Sequence, residues 1–282
     1  MTGANFLFYN GKISKADKLL ISPDNRSFRY GDGFFETIKV VNGKIILADY
    51  HMERLFSSLD LLQFQHPNYF TPEYVKENIL ALAKKNHHDK LARVRLTVFR
   101  GEGGLYDVTN HFPNHLIQTW ELNPVNTILN ENGLVLGIYK DARKVCDHFS
   151  HLKSNNFLSY AMAALWAKEN KLNDAILLNP YDRLADASIA NVFIVKDGVI
   201  KTPALTEGAV NGVMRKHLLK SLREENMPVE ETQLQVEDIL QASELFLTNA
   251  IYGIRWVKQL GESGYTNQLS SLLHKKMIRP LL

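Results

Sequence analysis

The chain has 282 residues, 45% of them hydrophobic, and carries a formal net charge of +3 at pH 7. This length and hydrophobic content are sufficient for one large domain or two medium ones with proper cores. Acidic and basic residues are interspersed without a run of like charge. The sequence therefore gives no indication of binding to nucleic acid or to an anionic membrane surface.

Cysteine usage and hydropathy indicate the compartment. Cys146 is the only cysteine, which excludes an internal disulfide, and the start Met-Thr-Gly-Ala-Asn lacks the basic and apolar regions of a signal peptide. No apolar stretch approaches the roughly 18 residues that are needed to span a bilayer. We therefore expect a cytoplasmic protein without a membrane role.

In chain order, the clearest strand signals are three Asn-Gly or Asp-Gly pairs between short apolar runs. They lie within residues 6–13, 38–47 and 192–200. Both central residues of a type I′ turn need positive φ, which Asn, Asp and Gly tolerate best, so each pair predicts a β-hairpin. Antiparallel sheet is therefore expected in both halves of the chain.

Helices are predicted between these hairpins, because apolar residues recur there at three- and four-residue spacing. The predicted helices span residues 49–62, 72–86, 157–170, 210–225, 236–243 and 267–278. Strands and helices are mixed without a regular βαβ alternation. The sequence therefore favours an α+β fold.

One stretch resembles a linker between domains. Residues 119–132 contain Asn-Pro and an Asn-Glu-Asn-Gly cluster, which are typical of turns and loops. We place a domain boundary near residue 125, which gives an N-terminal α+β domain of residues 1–124 and a C-terminal α+β domain of residues 125–282. The second of these would carry Lys153.

Two polar residues of the second half form a chemically informative pair. Lys153 lies in His-Leu-Lys-Ser-Asn-Asn (151–156), and Asp186 lies in Leu-Ala-Asp-Ala-Ser-Ile-Ala-Asn-Val-Phe (184–193). A lysine can hold an aldehyde cofactor as a Schiff base, and a carboxylate can keep a pyridine nitrogen protonated so that the ring accepts electrons. The pair predicts a pyridoxal phosphate enzyme.

The order of motifs along the chain extends this prediction. They are Tyr-Gly-Asp-Gly-Phe-Phe-Glu-Thr (30–37), His-Met-Glu-Arg-Leu (51–55), Lys153, Asp186, Asn-Gly-Val-Met-Arg (211–215) and Leu-Thr-Asn-Ala (247–250). Over nearly the whole chain they resemble the class IV aminotransferase family (fold type IV), which includes branched-chain aminotransferases, D-amino acid aminotransferases and aminodeoxychorismate lyases. The resemblance implies two domains, each with a mainly antiparallel sheet and packed helices, an amino acid-like substrate, pyridoxal 5'-phosphate as cofactor, and a homodimer.

The resemblance also implies roles for individual residues. Lys153 would bind the cofactor and move the proton at the substrate Cα. Asp186 stands where the family usually has a glutamate, one methylene longer, as the partner of the pyridine nitrogen. The other implied cofactor contacts are Arg54 at the phosphate, main-chain groups of Val213 and Met214, and Asn249 with Ala250 closing the phosphate cup.

Substrate contacts are expected from three further residues. Arg95 alternates with apolar residues along the predicted strand 93–99 and resembles the carboxylate-binding arginine of branched-chain aminotransferases. Phe35 matches an aromatic pocket position of the family. Tyr106 lies in a glycine-rich stretch, residues 100–107, which we expect to be a loop near the pocket.

Other constellations give no support for a metal or a dinucleotide. His87 and His88 are adjacent and would point in different directions, while Pro113 opposes a helix between His111 and His115. A Gly-x-Gly-x-x-Gly fingerprint is absent from every predicted junction between a strand and a helix. We expect no metal site and no dinucleotide-binding fold.

The reaction is chosen by resemblance within the family. The segments 209–215 and 248–250 are most similar to aminodeoxychorismate lyase, which forms 4-aminobenzoate and pyruvate in the folate pathway. Glu36 is more typical of a transaminase, and Leu158 replaces a tyrosine found in branched-chain enzymes. The alternatives are an aminotransferase of D-amino acids or branched-chain L-amino acids and, because of Asp186, a cofactor-binding protein without turnover.

Overall fold

The computed structural model describes residues 5–18, 21–107 and 109–282. The start of the chain, from which the absence of a signal peptide was predicted, lies largely outside these residues. The described chain divides into two compact units. The first unit runs to Asn126 and includes Lys153–Asn156, and the second contains Thr127–Leu152 and Phe157–Leu282.

The first unit is built on a six-stranded sheet in which all pairings are antiparallel. Its strands are β1 (Phe6–Tyr9), β2 (Lys12–Lys15), β3 (Gly33–Val41), β4 (Lys44–Ile45), β5 (Leu91–Phe99) and β6 (Asn114–Glu121). The strand order is β2-β1-β6-β5-β3-β4. The long strands β3 and β5 lie side by side in this order.

Three α-helices lie in the described part of the first unit: α1 (Arg26–Tyr30), α2 (Ala48–Leu61) and α3 (Pro72–Lys85). The start of α3 is fixed locally, because the Thr71 side chain accepts a hydrogen bond from the backbone N–H of Tyr74 and Pro72 opens the helix. Apolar residues of α2 and α3 form one buried cluster with alternate residues of β3 and β5. The strand face that meets the helices is therefore the apolar one.

The three predicted hairpin turns are confirmed. Each has positive φ at both central residues, as a type I′ turn requires. The φ values are 44° and 89° at Asn10 and Gly11, 48° and 71° at Asn42 and Gly43, and 53° and 76° at Asp197 and Gly198. Local turn chemistry thus sets the register of the antiparallel pairs on either side.

The second unit contains a nine-stranded sheet and four helices. The strands are β7 (Leu134–Tyr139), β8 (Asp174–Leu178), β9 (Leu184–Ala187), β10 (Asn191–Lys196), β11 (Val199–Pro203), β12 (Val229–Thr232), β13 (Glu244–Asn249), β14 (Gly253–Leu260) and β15 (Ser263–Gly264). The helices are α4 (Leu158–Glu169), α5 (Val213–Glu224), α6 (Val236–Leu240) and α7 (Gln268–Leu273). The strand order is β12-β11-β10-β13-β14-β7-β8-β9, and β15 pairs with β14.

This sheet is mainly antiparallel, but three of its pairings are parallel: β11 with β12, β14 with β7, and β7 with β8. The sequence did not predict these, because parallel neighbours are joined by crossovers rather than by short turns. Helix α4 lies in the crossover between β7 and β8. The α+β class is nevertheless the observed one, since both units combine antiparallel sheet with packed helices.

Two of the predicted helices end earlier than expected. Helix α6 stops at Leu240, and α7 is followed by a π-helical turn at His274–Ile278.

Among the described residues, no helix has the length and apolar composition that a membrane crossing requires.

Candidate active site

The segment that carries Lys153 runs beside the start of β3. The backbone N–H of Phe35 donates to the carbonyl oxygen of Lys153 at 2.9 Å, and the N–H of Asn155 donates to the carbonyl of Gly33 at 2.9 Å. A Cβ on Gly33 would collide with the carbonyl oxygen of Val98 and with the Asn155 amide. Glycine is therefore required at residue 33 for this close approach.

Phe35 connects the lysine to the predicted substrate arginine. Its ring is 5% exposed, and the Nζ of Lys153 lies 4.7 Å from the ring centroid. The guanidinium carbon of Arg95 lies 3.7 Å from the same centroid. The Nζ of Lys153 and the guanidinium carbon of Arg95 are therefore at most about 8.4 Å apart, which is the sum of these two distances. The structure thus brings Lys153 and Arg95 to the same aromatic ring, that of Phe35.

The same sheet face carries two more basic side chains. Arg95 opposes Thr37 and Arg93 opposes Lys39 in the pairing of β5 with β3, so all four share a face with Phe35. Burial lowers the pKa of Arg95, with a contribution from the neighbouring charge of Arg93. Burial also lowers the pKa of Lys39 to about 8.

These cations lack a countercharge in the described part of the first unit. Lys39 donates to the carbonyl of Asn126 at 3.1 Å, and Arg95 donates to the hydroxyl of Thr97 at 3.2 Å. The guanidinium carbon of Arg93 lies 5.5 Å from the Trp120 ring centroid, and its Nε has no hydrogen-bond partner among the described residues. An anionic ligand would satisfy this face.

Arg54 is held on the opposite face of β3, where it forms a two-point ion pair with Glu36. Its Nε and Nη2 donate to the two carboxylate oxygens at 2.7 and 2.6 Å. The ring Nδ1 of His51 lies 2.7 Å from one of these oxygens. Burial by itself would raise the pKa of Glu36, but Arg54 and the His51 hydrogen bond lower it to about 2. This cluster fixes the guanidinium in one orientation.

Asp186 is buried in the second unit and accepts three hydrogen bonds. The Asn191 side-chain amide donates to Oδ1 at 2.8 Å. The Tyr160 hydroxyl and the backbone N–H of Val210 donate to Oδ2 at 3.2 and 2.8 Å. Burial raises the pKa of this carboxyl, and these bonds together with the charge of Lys144 hold the rise to a value of about 6.

The start of helix α5 forms an anion-binding position. Its N-cap is Gly212, whose lack of a side chain leaves the first backbone N–H groups, those of Val213 and Met214 included, without a side-chain cap. A Cβ on Gly212 would collide with the Asn191 side chain. Thr248 pairs directly with Asn191 across β13 and β10, and its buried hydroxyl has no hydrogen-bond partner among the described residues. Uncapped amides and an orphaned hydroxyl suit a phosphate group.

Asn249 and Ala250 follow one another at the end of β13. The Asn249 side-chain oxygen accepts hydrogen bonds from the N–H groups of Ile251 and Tyr252 at 3.0 and 2.9 Å, so it closes the turn that contains Ala250. Its amide nitrogen donates to the carbonyl of Ile189 at 3.3 Å. The structure thus places Asn249 as a turn-forming residue next to Thr248.

Tyr106 lies in a surface turn of the first unit and is 91% exposed. The loop that carries it is tied down by Arg26, which donates to the carbonyl of Asp107 at 3.3 Å. Arg100 at the base of the loop donates to the Asp32 carboxylate at 2.6 Å. The structure thus places the Tyr106 side chain at the surface of this unit.

Several polar residues around these positions were not predicted as cofactor or substrate contacts from the sequence: Glu36, His51, Lys144, Tyr160 and Thr248. Their alternation or helical spacing is shared by ordinary core and surface residues, so only the tertiary contacts identify them.

Among the described residues, no group of three or more His, Cys, Asp or Glu is arranged to hold a metal ion.

Residues 33–260 match the family described as Amino-transferase class IV. This range covers most of the chain and includes Lys153, Arg54, Asp186 and the start of α5. The protein therefore belongs to the class IV aminotransferase family, as the motifs predicted.

Within that family the chain is similar to relatives with different reactions. It is 28% identical to the aminodeoxychorismate lyase of Bacillus subtilis (strain 168), over 98% of this chain and 96% of the relative. It is 24% identical to a D-alanine aminotransferase of Listeria monocytogenes serotype 4b, over 97% of this chain and 95% of the relative.

Solved structures show the fold. The branched-chain aminotransferase of Thermoproteus uzoniensis with norvaline has a TM-score of 0.87 at 21% identity, and the alignment covers 99% of this chain and 95% of that chain. The branched-chain amino acid aminotransferase of Escherichia coli has a TM-score of 0.85 at 20% identity, and the alignment covers 96% of this chain and 92% of that chain. The chain has the fold type IV architecture.

Proposed function

We propose that this protein is a pyridoxal 5'-phosphate-dependent aminodeoxychorismate lyase, which forms 4-aminobenzoate and pyruvate. The observation that carries the proposal is the basic face of β3 and β5, where Lys39, Arg93 and Arg95 have no carboxylate partner in the described first unit. Aminodeoxychorismate carries two carboxylates, whereas a branched aliphatic side chain would need an apolar lining. The full-length similarity to a lyase supports the same reaction.

The residues present fit the cofactor. The uncapped N-terminus of α5 and the orphaned hydroxyl of Thr248 suit its phosphate, together with the charge of Arg54. The amine of Lys153 would bind its aldehyde, and Asp186 would hold the proton on its ring nitrogen. When bound, the cofactor supplies an electron sink for the carbanion formed on the substrate.

Lys153 is the acid and base of the proposed reaction. Its amine takes the proton from the carbon that bears the substrate amino group and returns a proton to a product. Phe35 shields one side of the amine, because its ring is buried directly beside Nζ. Arg95 binds a substrate carboxylate next to it, since the two cations share that ring.

Glu36 does not oppose the lyase assignment. This residue is more typical of a transaminase, yet both of its carboxylate oxygens are engaged by Arg54 and one also by His51. It lies on the β3 face opposite Phe35. Its role is therefore to orient Arg54 rather than to select a substrate.

An aminotransferase is the second candidate, supported by the similarity to a D-alanine aminotransferase. The two reactions are separated by a product assay with purified, cofactor-loaded protein. Incubation with aminodeoxychorismate should release pyruvate and 4-aminobenzoate in equal amounts, and Lys153→Ala should abolish both. Transfer of an amino group from a D-amino acid or a branched-chain L-amino acid to a keto acid, with no pyruvate released from aminodeoxychorismate, would establish the aminotransferase instead.

We further propose that the protein is a cytoplasmic homodimer. Exposed apolar side chains support the dimer, among them Leu105 and Tyr106 on the loop of the first unit and Leu158, Met162 and Leu165 along one side of α4. The lone Cys146 suits a reducing compartment. Light scattering on the eluting protein gives its mass, and a monomer at micromolar concentration would contradict the dimer.

A further inference from the structure

Beside Asp186 lies a second lysine that the proposed function does not use. Lys144 is half-buried, and its ammonium donates to the carbonyl of Ser150 at 2.9 Å. The same ammonium lies 5.6 Å from the centroid of the Tyr160 ring, whose hydroxyl donates to Asp186. Lys144, Tyr160 and Asp186 thus form one connected cluster within the second unit.

The buried countercharge of Lys144 is Asp186. The carboxylates that act on the ammonium are those of Asp186 and Asp147, and its titratable neighbours include Cys146 and His151. Asp147 is an exposed residue whose carboxylate already accepts from the Ser150 hydroxyl at 2.7 Å and from the Phe149 N–H at 3.0 Å. Solvent screens such a charge, whereas the fully buried Asp186 is screened little.

Asp186 retains room for one more donor. A carboxylate offers about four lone-pair positions, and Asn191, Tyr160 and Val210 occupy three of them. All three neighbours donate, which favours the ionised carboxylate over the protonated acid. Burial acts in the other direction, because it penalises the charge. The ionisation of Asp186 is therefore decided by a balance in which Lys144 supplies the favourable positive charge.

This balance decides where a proton between Asp186 and a pyridine nitrogen would reside. If the carboxyl keeps the proton, the ring stays neutral and is a weak electron sink. If the carboxyl is ionised, the ring nitrogen carries the proton. A positive charge nearer to the carboxylate than to the ring favours the second arrangement, since it stabilises the anion.

We propose that Lys144 and Tyr160 are positioning residues that keep Asp186 ionised, so that the ring nitrogen of the cofactor carries the proton. The inference rests on the proposed function, because it assumes that Asp186 is the partner of that nitrogen. The charge of Lys144 and the hydrogen bond from Tyr160 both lower the pKa of Asp186 against burial, which agrees with this role. Lys144 also fixes the backbone at Ser150, three residues before Lys153 along the chain.

The test uses holoprotein loaded with pyridoxal phosphate that carries nitrogen-15 in the ring, because the nitrogen chemical shift reports protonation directly. In the wild-type protein the resonance should stay at the pyridinium position between about pH 6 and pH 8. In Lys144→Met it should move toward the neutral pyridine position throughout this window, because the carboxyl of Asp186 then competes better for the proton. Tyr160→Phe should cause a smaller shift in the same direction, because it removes one neutral donor.

Matched variants separate charge from folding. Lys144→Arg keeps the charge and should keep the pyridinium shift, and the exposed Lys140→Met should behave as wild type. Thermal unfolding of each variant identifies any that has lost its fold, and Lys144→Arg then carries the comparison. A folded Lys144→Met holoprotein in which the ring nitrogen of the cofactor stays fully protonated up to about pH 8 would overturn the inference.

The same experiment distinguishes this inference from the proposed function. If the wild-type protein takes up no labelled cofactor, the proposed function fails. If it takes up the cofactor with an unprotonated ring, the assigned role of Asp186 fails and the inference fails with it. If uptake and protonation are normal in wild type and unchanged in Lys144→Met, the inference alone is overturned.

Discussion

The two units each contain a buried carboxylate with an assigned role, and the two carboxylates behave oppositely. Glu36 has a pKa of about 2, whereas Asp186 has a pKa of about 6. Both are almost completely buried, so burial does not explain the difference. Both carboxylate oxygens of Glu36 accept hydrogen bonds from one guanidinium, that of Arg54. Asp186 instead accepts hydrogen bonds from neutral donors, and the charge of Lys144 acts on it without a hydrogen bond. A contact ion pair fixes a charge, whereas neutral donors leave it adjustable.

The largest effect is expected from Asp186→Ala. Loss of the carboxylate removes the partner of the ring nitrogen, and we expect kcat to fall by about 10²- to 10³-fold. Asp186→Glu should retain most of the activity, because it restores the residue type usual in the family. The exposed Asp141→Ala is the control. Full activity in Asp186→Ala would refute the role given to this residue.

Glu36→Gln should act on stability instead. It breaks the two-point ion pair between Glu36 and the largely buried Arg54, and we expect the free energy of unfolding to fall by about 3 kcal/mol. Urea denaturation measures this, with the exposed Glu73→Gln as the matched control. A loss below about 1 kcal/mol would show that the ion pair is not essential to the unit.

The two carboxylates should give opposite pH dependence of unfolding in the apo protein. The folded-state pKa of Glu36 lies below the ordinary 4.5, so its stabilisation is present above pH 4.5 and is lost as the pH falls toward about 2. The folded-state pKa of Asp186 lies above the ordinary 3.8, so its charge is a cost at neutral pH. That cost is relieved as the pH falls from about 6 to about 4.

The measurement is urea denaturation at a series of pH values for wild type, Glu36→Gln and Asp186→Asn. The stability advantage of wild type over Glu36→Gln should shrink on acidification below pH 4.5. Relative to Asp186→Asn, wild type should gain stability as the pH falls from about 6 to about 4. If both carboxylates changed the free energy of unfolding in the same direction on acidification, the difference between Glu36 and Asp186 would be refuted.

The smallest effect is expected from Tyr160→Phe. One hydrogen bond to a buried carboxylate is lost, and the free energy of unfolding should fall by about 1 kcal/mol. The exposed Tyr181→Phe should cause no measurable change. If both variants unfold identically, the Tyr160 hydroxyl contributes nothing to holding Asp186.

The sequence predicted those features that depend on local chemistry. The hairpin turn at Asn10 and Gly11 requires positive φ, which neighbouring residues alone can indicate, and the hairpin at Asp197 and Gly198 follows the same rule. The alternation along β5 also placed Arg95 and Thr97 on one face. The family and the fold type followed from the order of six motifs.

The features that the sequence missed depend on distant contacts. Glu36 meets His51 because β3 and α2 pack together, and Tyr160 meets Asp186 across 26 positions of sequence. The parallel pairing of β7 with β8 depends on a crossover that short-range patterns do not specify. Neither propensity nor periodicity reports which side chains such packing brings together.

The absorption spectrum of the purified protein with added pyridoxal phosphate tests the central assignment most directly. Wild type should develop a visible band that Lys153→Ala lacks and that the exposed Lys140→Ala retains. A band that forms equally in Lys153→Ala, or no band in the wild-type protein, would contradict the account of Lys153 as the residue that binds the cofactor.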